Sequence, residues 1–130
     1  MIILTIRTDK PEAEIGLYDG TEQLAYETWQ AHRQLAETIH QRITALLAAQ
    51  SVSLKSLKGI VVFEGPGSFT GLRIGMTVAN ALAMGLEIPV VAARDPKWIE
   101  QGIRRALDGE NDHPALPEYG ADVHITAQKR

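Results

Sequence analysis

The chain is 130 residues long, 45% hydrophobic and 22% charged, the length and make-up of one globular domain with a sizeable core. A formal charge of −3 argues against a free-standing nucleic-acid binder, and the absence of cysteine excludes disulfides, thiolate metal sites and a cysteine nucleophile. The opening MIILTIRTDKPEAE has neither the basic lead nor the apolar length of a signal peptide, and no run of about 18 apolar residues predicts a membrane span, so a cytoplasmic protein is expected.

Ile2-Ile3-Leu4-Thr5-Ile6 is a nearly continuous apolar run, as in a strand covered on both faces. Ala13, Ile15 and Leu17 alternate with Glu14, Gly16 and Tyr18, giving a second strand with one wetter face. Asp19-Gly20 is a type I′ hairpin signal, leading into a third strand with Leu24 and Tyr26 on one side. Over residues 32–50 the period turns helical: Leu35, Ile39, Ile43 and Leu47 stand four apart, with Ala36 and Leu46 on a neighbouring row. Leu54 and Leu57 anchor the return to Ile60-Val61-Val62-Phe63, a buried strand of the parallel type. Residues 70–86 give a second long helix, and Ile88-Pro89-Val90-Val91-Ala92 a fifth strand whose proline sits where no ladder donor is needed.

Asp95 and Pro96 predict a helix start, as N-cap and first residue. Trp98, Ile99, Ile103 and Leu107 form its buried side, and Gly109 ends it. Residues 1–109 therefore read as one folded lobe. From Glu110 the composition shifts to Asn, Asp, Pro, Glu and Gly, which predicts an extended tail over 110–130 with Tyr119, Val123 and Ile125 as docking points. The order β-β-β-α-β-α-β-α, an antiparallel meander followed by βαβα with right-handed crossovers, predicts an α/β fold: a five-stranded mixed sheet flanked by helices, in the layout of a ribonuclease H-like or actin-like half-domain.

Residues 63–85, FEGPGSFTGLRIGMTVANALAMG, carry the most information. Gly71, Gly75, Ala79 and Ala83 recur four apart and so share one helix face. A glycine inside a helix costs about 1 kcal/mol relative to alanine, which a close contact must offset. Either the stripe packs on the chain's own sheet, or it receives a partner. The loop Gly65-Pro66-Gly67-Ser68-Phe69-Thr70-Gly71, running on into Leu72 and Arg73, brings backbone N–H groups to a helix N-terminus, which suits an anion. No lysine follows as in a Walker A loop, and a tight turn capped by Ser68 or Thr70 explains the same residues.

Arg73 is a cation in a first helical turn, where the dipole opposes it, and Glu64 across the turn is its candidate partner. His32, His40, His113 and His124 are scattered, and His32 and His40 are too far apart along one helix to be ligands on adjacent turns. Ser68 lacks a G-x-S-x-G context. Asp9 lies near the end of the first strand, but the strand-end residue itself is Arg7. No catalytic constellation, no metal site and no cofactor is predicted.

GPGSFTGLRIG after GIVVFE, followed by Ala79, Ala81-Leu82-Ala83, Gly85-Leu86 and Ile88-Pro89-Val90, closely resembles the TsaB family. The opening ILTIRTD is similar to that family's first strand, and His32 falls where members often carry a histidine before the first long helix. The resemblance covers residues 2 to about 93, and LPEYGADVHITAQKR is more weakly similar to a TsaB C-terminus. It implies a two-lobed, actin-like (ASKHA) protein of the bacterial machinery that makes threonylcarbamoyladenosine beside the tRNA anticodon. In that machinery TsaB proteins are dimerisation subunits: they pair with the transferase TsaD, recruit the ATPase TsaE to the pair, and are not themselves the catalyst.

The resemblance places the partner surface on the two long helices, so Leu35, Ile39, Ile43, Gly71, Gly75, Ala79 and Ala83 are expected at the interface. A homodimer through the same face is expected when the partner is missing, and direct tRNA binding is not. Two departures stand out. The family's Asp after the first apolar run is Arg7 here, and nearly all of the second lobe is missing, so a TsaB reduced to its N-terminal lobe is expected. The alternative is a minimal actin-like nucleotide-binding or phosphotransfer enzyme using GPGSFTG, against which Arg7 argues.

Overall fold

In the computed structural model, residues 1–118 are described; Tyr119, Val123 and Ile125, expected as docking points, lie outside the described residues. Strand β1 (Ile2–Arg7) occupies the middle of the sheet because it is apolar on both sides: Leu4 and Ile6 face one core and Ile3 the other. β2 (Glu12–Asp19) pairs antiparallel with β1, and β3 (Glu22–Gln30) antiparallel with β2. β4 (Leu57–Phe63) lies parallel to β1 on its other side, and β5 (Val90–Ala93) parallel to β4. The order β3-β2-β1-β4-β5, with β2 alone reversed, is the ribonuclease H-like, actin-like sheet that the element order predicts. Helices α1 (Leu35–Ala49) and α2 (Phe69–Leu86) cover one face, and α3 (Trp98–Leu107) packs on the other. No helix among the described residues is long and apolar enough to cross a membrane.

Several local expectations are corrected. At the hairpin Gly20 alone takes positive φ (60°), so the turn is not type I′. Leu17 pairs with Ala25 but Tyr18 with Gln23, leaving Leu24 as an extra residue. Such a bulge breaks the alternation: Leu24 and Ala25 pack on the α1/α2 side, and Tyr26 joins Tyr18 on the α3 side. α1 begins later than expected because the N–H groups of Ala31 and His32 both donate to Pro11 O (2.9 and 3.3 Å), and residues 32–34 form a single 3₁₀ turn. Leu57 anchors the return to β4, whereas Leu54 stays 43% exposed.

At α3 the expected cap fails. The Asp95 carboxylate turns to Arg7 (3.2 Å), and Lys97, at φ 60°, precedes the first turn. The buried side is Trp98, Gly102, Ile103 and Ala106, with Leu107 exposed. Gly102 is required there, since a Cβ would come within 2.2 Å of Val61 Cγ1.

Residues 110–118 dock along the lobe. Asp112 N–H donates to Val90 O (2.8 Å), while Val90 N–H donates to Asn111 Oδ1 (3.2 Å) and Ala92 N–H to Asp112 Oδ2 (2.8 Å). Arg105 donates to Ala92 O (2.9 Å). These bonds close the outer edge of β5, which would otherwise be a template for another strand. Farther on, Asn80 of α2 grips both backbone groups of Ala115 (3.0 and 2.8 Å), which is buried in the core.

Candidate functional site

The GPGSFTG loop leaves the C-terminal end of β4 and crosses the end of β1. Its glycines are where side chains would collide. A Cβ on Gly65 (φ 113°) would lie 2.2 Å from Glu118 O, and one on Gly67 would lie 2.5 Å from Asp9 Cβ. Ser68 caps α2, its Oγ accepting from Gly71 N–H (3.4 Å), while its own N–H donates to Asp9 O (3.4 Å). A phosphate over this loop would meet the Asp9 side chain, an anion beside an anion. The turn-and-cap reading is therefore the one these contacts support, and the nucleotide reading is not favoured.

Arg7 fills the strand end. Its guanidinium donates to both Asp9 oxygens (2.9 and 3.2 Å), reaches Asp95 (3.2 Å) and lies 3.8 Å from the centroid of the Phe63 ring. Burial works against its charge, but the bonds and field of Asp9 and Asp95 outweigh that and hold its pKa above the ordinary arginine value. Among the described residues no three His, Asp or Glu side chains converge as a metal site. The expected Arg73–Glu64 pair is not formed: Glu64 binds Arg94 (3.0 Å), and Arg73 lies over the Phe69 ring at 5.3 Å.

The small-residue stripe is also corrected. A Cβ on Gly71 would lie 2.2 Å from Thr8 O, and one on Gly75 would lie 2.2 Å from Thr8 Oγ1. Thr8 Oγ1 in turn donates to Gly71 O (2.7 Å). Ala79 and Ala83 are 0% and 2% exposed, and Leu35, Ile39 and Ile43 are buried in the same core. Six of the seven expected interface residues are thus buried and Gly71 half-buried, because the stripe lets α2 settle onto the end of β1. Their close contacts are with this chain's own core and with Thr8.

What remains open is the opposite side of α2. Arg73, Thr77, Ala81 and Gly85, again four apart, are exposed, and Met84 beside them is 65% exposed. This helix carries one charged residue, Arg73, in 18. Between α2 and α1 runs a groove with two cavities, of about 290 Å³ and 220 Å³, which share Thr70 and Ile74. The first is lined by Ala36, His40, Arg73, Thr77 and Val78, the second by residues that include Lys10, His32, Arg33 and Ser68. Sequence reasoning chose the inner stripe and missed this outer one, whose signal was the near absence of charge all round α2.

An actin-like α/β lobe with a paired-helix face, and with its strand ends closed by ion pairs, is the class of protein this geometry defines. The family profile for TsaD, tRNA N6-adenosine threonylcarbamoyltransferase, matches residues 29–117. The tRNA threonylcarbamoyladenosine biosynthesis protein TsaB of Escherichia coli is 32% identical over 106 residues, covering 81% of this chain and 45% of that protein. A tRNA N6-adenosine threonylcarbamoyltransferase of Geotalea daltonii is 41% identical over 95 residues, covering 73% of this chain and 28% of that protein. Among solved structures, YeaZ from Pseudomonas aeruginosa aligns with a TM-score of 0.67 at 29% identity, covering 72% of this chain and 44% of that one. The chain belongs to this threonylcarbamoyltransferase family, and within it to the TsaB proteins. It spans less than half the length of the curated TsaB relatives from E. coli and Haemophilus influenzae that it matches.

Proposed function

We propose that this chain is a non-catalytic subunit of the apparatus that makes N6-threonylcarbamoyladenosine in tRNA, and that it docks on a TsaD-like transferase through the outer faces of α1 and α2. The observation that carries the reading is the surface of α2: a single charged residue in its whole length, with the small Thr77, Ala81 and Gly85 turned to solvent beside an apolar groove. Isolated exposed apolar residues are ordinary, but a continuous face depleted of charge has the composition of an interface centre. Small side chains at Thr77, Ala81 and Gly85 let a partner helix approach to the roughly 8–10 Å of ordinary helix packing. In this reading the transferase holds the chemistry, and a TsaE-like ATPase meets the assembled pair.

The test is size-exclusion chromatography of this chain with the TsaD-family transferase of the same organism. Ala81→Arg should abolish co-elution and leave the melting temperature unchanged, because Ala81 is exposed. Co-elution that survives Ala81→Arg and a matching Thr77→Arg would remove the helix face from the interface.

A further inference from the structure

The face of the sheet that carries α3 is only partly covered. α3 packs over β4 and β5, while Tyr18 of β2 and Gln23 of β3 face it across a cavity of about 680 Å³. The apolar wall of this groove is one stripe of α3, Ile99, Ile103 and Leu107, the last of them 45% exposed. Along the rim Glu100, Arg104 and Asp108 stand four apart, a row with one net negative charge. Glu118, the last described residue, sits by the first turn of α3. Its N–H donates to Glu64 O (2.6 Å), next to Phe63, whose ring meets that of Trp98 edge-on with centroids 5.7 Å apart.

The sequence of residues 119–130 has the pattern that such a groove calls for. Tyr119, Ala121, Val123, Ile125 and Ala127 are apolar at every second position, with Asp122, His124 and Thr126 between them. That is the period of an extended segment with one face buried, which a solvated tail does not need. Lys129 and Arg130 follow, two positive charges together. We propose that this segment is the occupant of the groove, laid as an extended strap between α3 and Tyr18. Val123 and Ile125 then meet Ile99, Ile103 and Leu107, and the basic pair meets Asp108. The lengths agree: α3 has 10 residues and is about 15 Å long, so about five extended residues run beside it. The reach of 119–130 is about 40 Å, enough to round the first turn of α3 and descend to its last. The groove lies on the opposite face of the sheet from α1 and α2, so the strap stands independently of the docking reading.

The chain has no cysteine, so an introduced pair reports a single proximity. The full chain carrying Leu107→Cys and Ile125→Cys, oxidised mildly in dilute solution, should close an intramolecular disulfide about tenfold faster than one carrying Gly85→Cys and Ile125→Cys. Gly85 lies on α2, across the sheet, and nothing stands within 4 Å of its Cβ; Leu107 is exposed, so both positions accept the substitution. In the otherwise unchanged chain, Ile125→Asp should lower the melting temperature by about 5 °C, and His124→Asp, on the other side of the segment, should leave it in place. Equal closure rates for the two cysteine pairs would overturn the proposal, as would an Ile125→Asp protein that melts like the wild type. Disulfides formed between chains in place of the intramolecular one would overturn it as well, and would assign the groove to a second copy.

Discussion

Replacing Gly75 by alanine tests where α2 lies. In an exposed helix the change would stabilise by about 1 kcal/mol, since alanine is the better helix former. Here the new Cβ would sit 2.2 Å from Thr8 Oγ1 and 3.4 Å from Thr8 Cβ and Cγ2. Thr8 is 2% exposed and its hydroxyl donates to Gly71 O, so it has little room to turn and gives up that bond if it does. Overpacking of this kind costs about 1–3 kcal/mol, and the lost hydrogen bond about 1 kcal/mol. Set against the propensity gain, the net loss is about 1–3 kcal/mol, or about 4–12 °C in melting temperature for a chain of this size. Gly71→Ala should lose more, because the obstruction is the Thr8 carbonyl itself, which cannot rotate away. Gly85→Ala is the control: nothing lies within 4 Å of its Cβ, so its melting temperature should rise. Circular dichroism melts of the three variants give the order. A Gly75→Ala protein that melts higher, as Gly85→Ala should, would refute the contact between α2 and Thr8.

Other perturbations probe the remaining contacts. Asn80→Ala removes both bonds to Ala115 and leaves a buried N–H and C=O unpaired, which should cost about 2 kcal/mol by urea unfolding. Arg7→Met keeps an apolar stem against Phe63 but strands the Asp9 carboxylate, with an expected loss of about 3 kcal/mol; Arg7→Met combined with Asp9→Asn should cost less than the sum of the single changes. Burial, and then the hydrogen bond to Glu14, raise the Tyr26 pKa above the ordinary tyrosine value of about 10. A raised phenol pKa favours the neutral form in the fold, so that contribution is complete below pH 10 and is lost as pH rises above it. The melting temperature of the wild type should consequently fall faster between about pH 9.5 and 11 than that of Tyr26→Phe, and equal slopes would contradict the assignment.

The five strands and three helices were legible because hydrophobic period is a local property: two in β2, between three and four in α1. Legibility stopped where a contact from elsewhere decides the geometry. The bulge at Leu24 comes from the register of β2 against β3, and the 3₁₀ turn at His32 comes from two N–H groups drawn to Pro11 O, sites outside any window of local pattern. Asp95-Pro96 reads as a helix start until Arg7, 88 residues away, captures the aspartate. The stripe on α2 was legible as a demand for close approach, but not its direction. An apolar helix with small residues four apart on both of two opposite sides offers two equivalent candidates, and only Thr8 distinguishes them.

That outcome changes what the GPGSFTG stretch implies. Gly65 is explained by Glu118, Gly67 by Asp9, and Gly71 and Gly75 by Thr8. Every one of these contacts is internal, so the motif marks how the helix is seated, and chemistry has to be sought elsewhere. A helix seated with backbone against backbone has few ways to shift, which makes its outer face a fixed surface. Binding to a fixed surface forfeits little conformational entropy. The inner glycines and the outer Thr77 and Ala81 would then serve one purpose from two sides, the first holding the platform and the second forming it. The two roles separate experimentally. Inner substitutions should weaken docking only as far as they lower the melting temperature, whereas Ala81→Arg should weaken docking with no change in melting at all. An inner variant that melts normally yet fails to dock would break that argument.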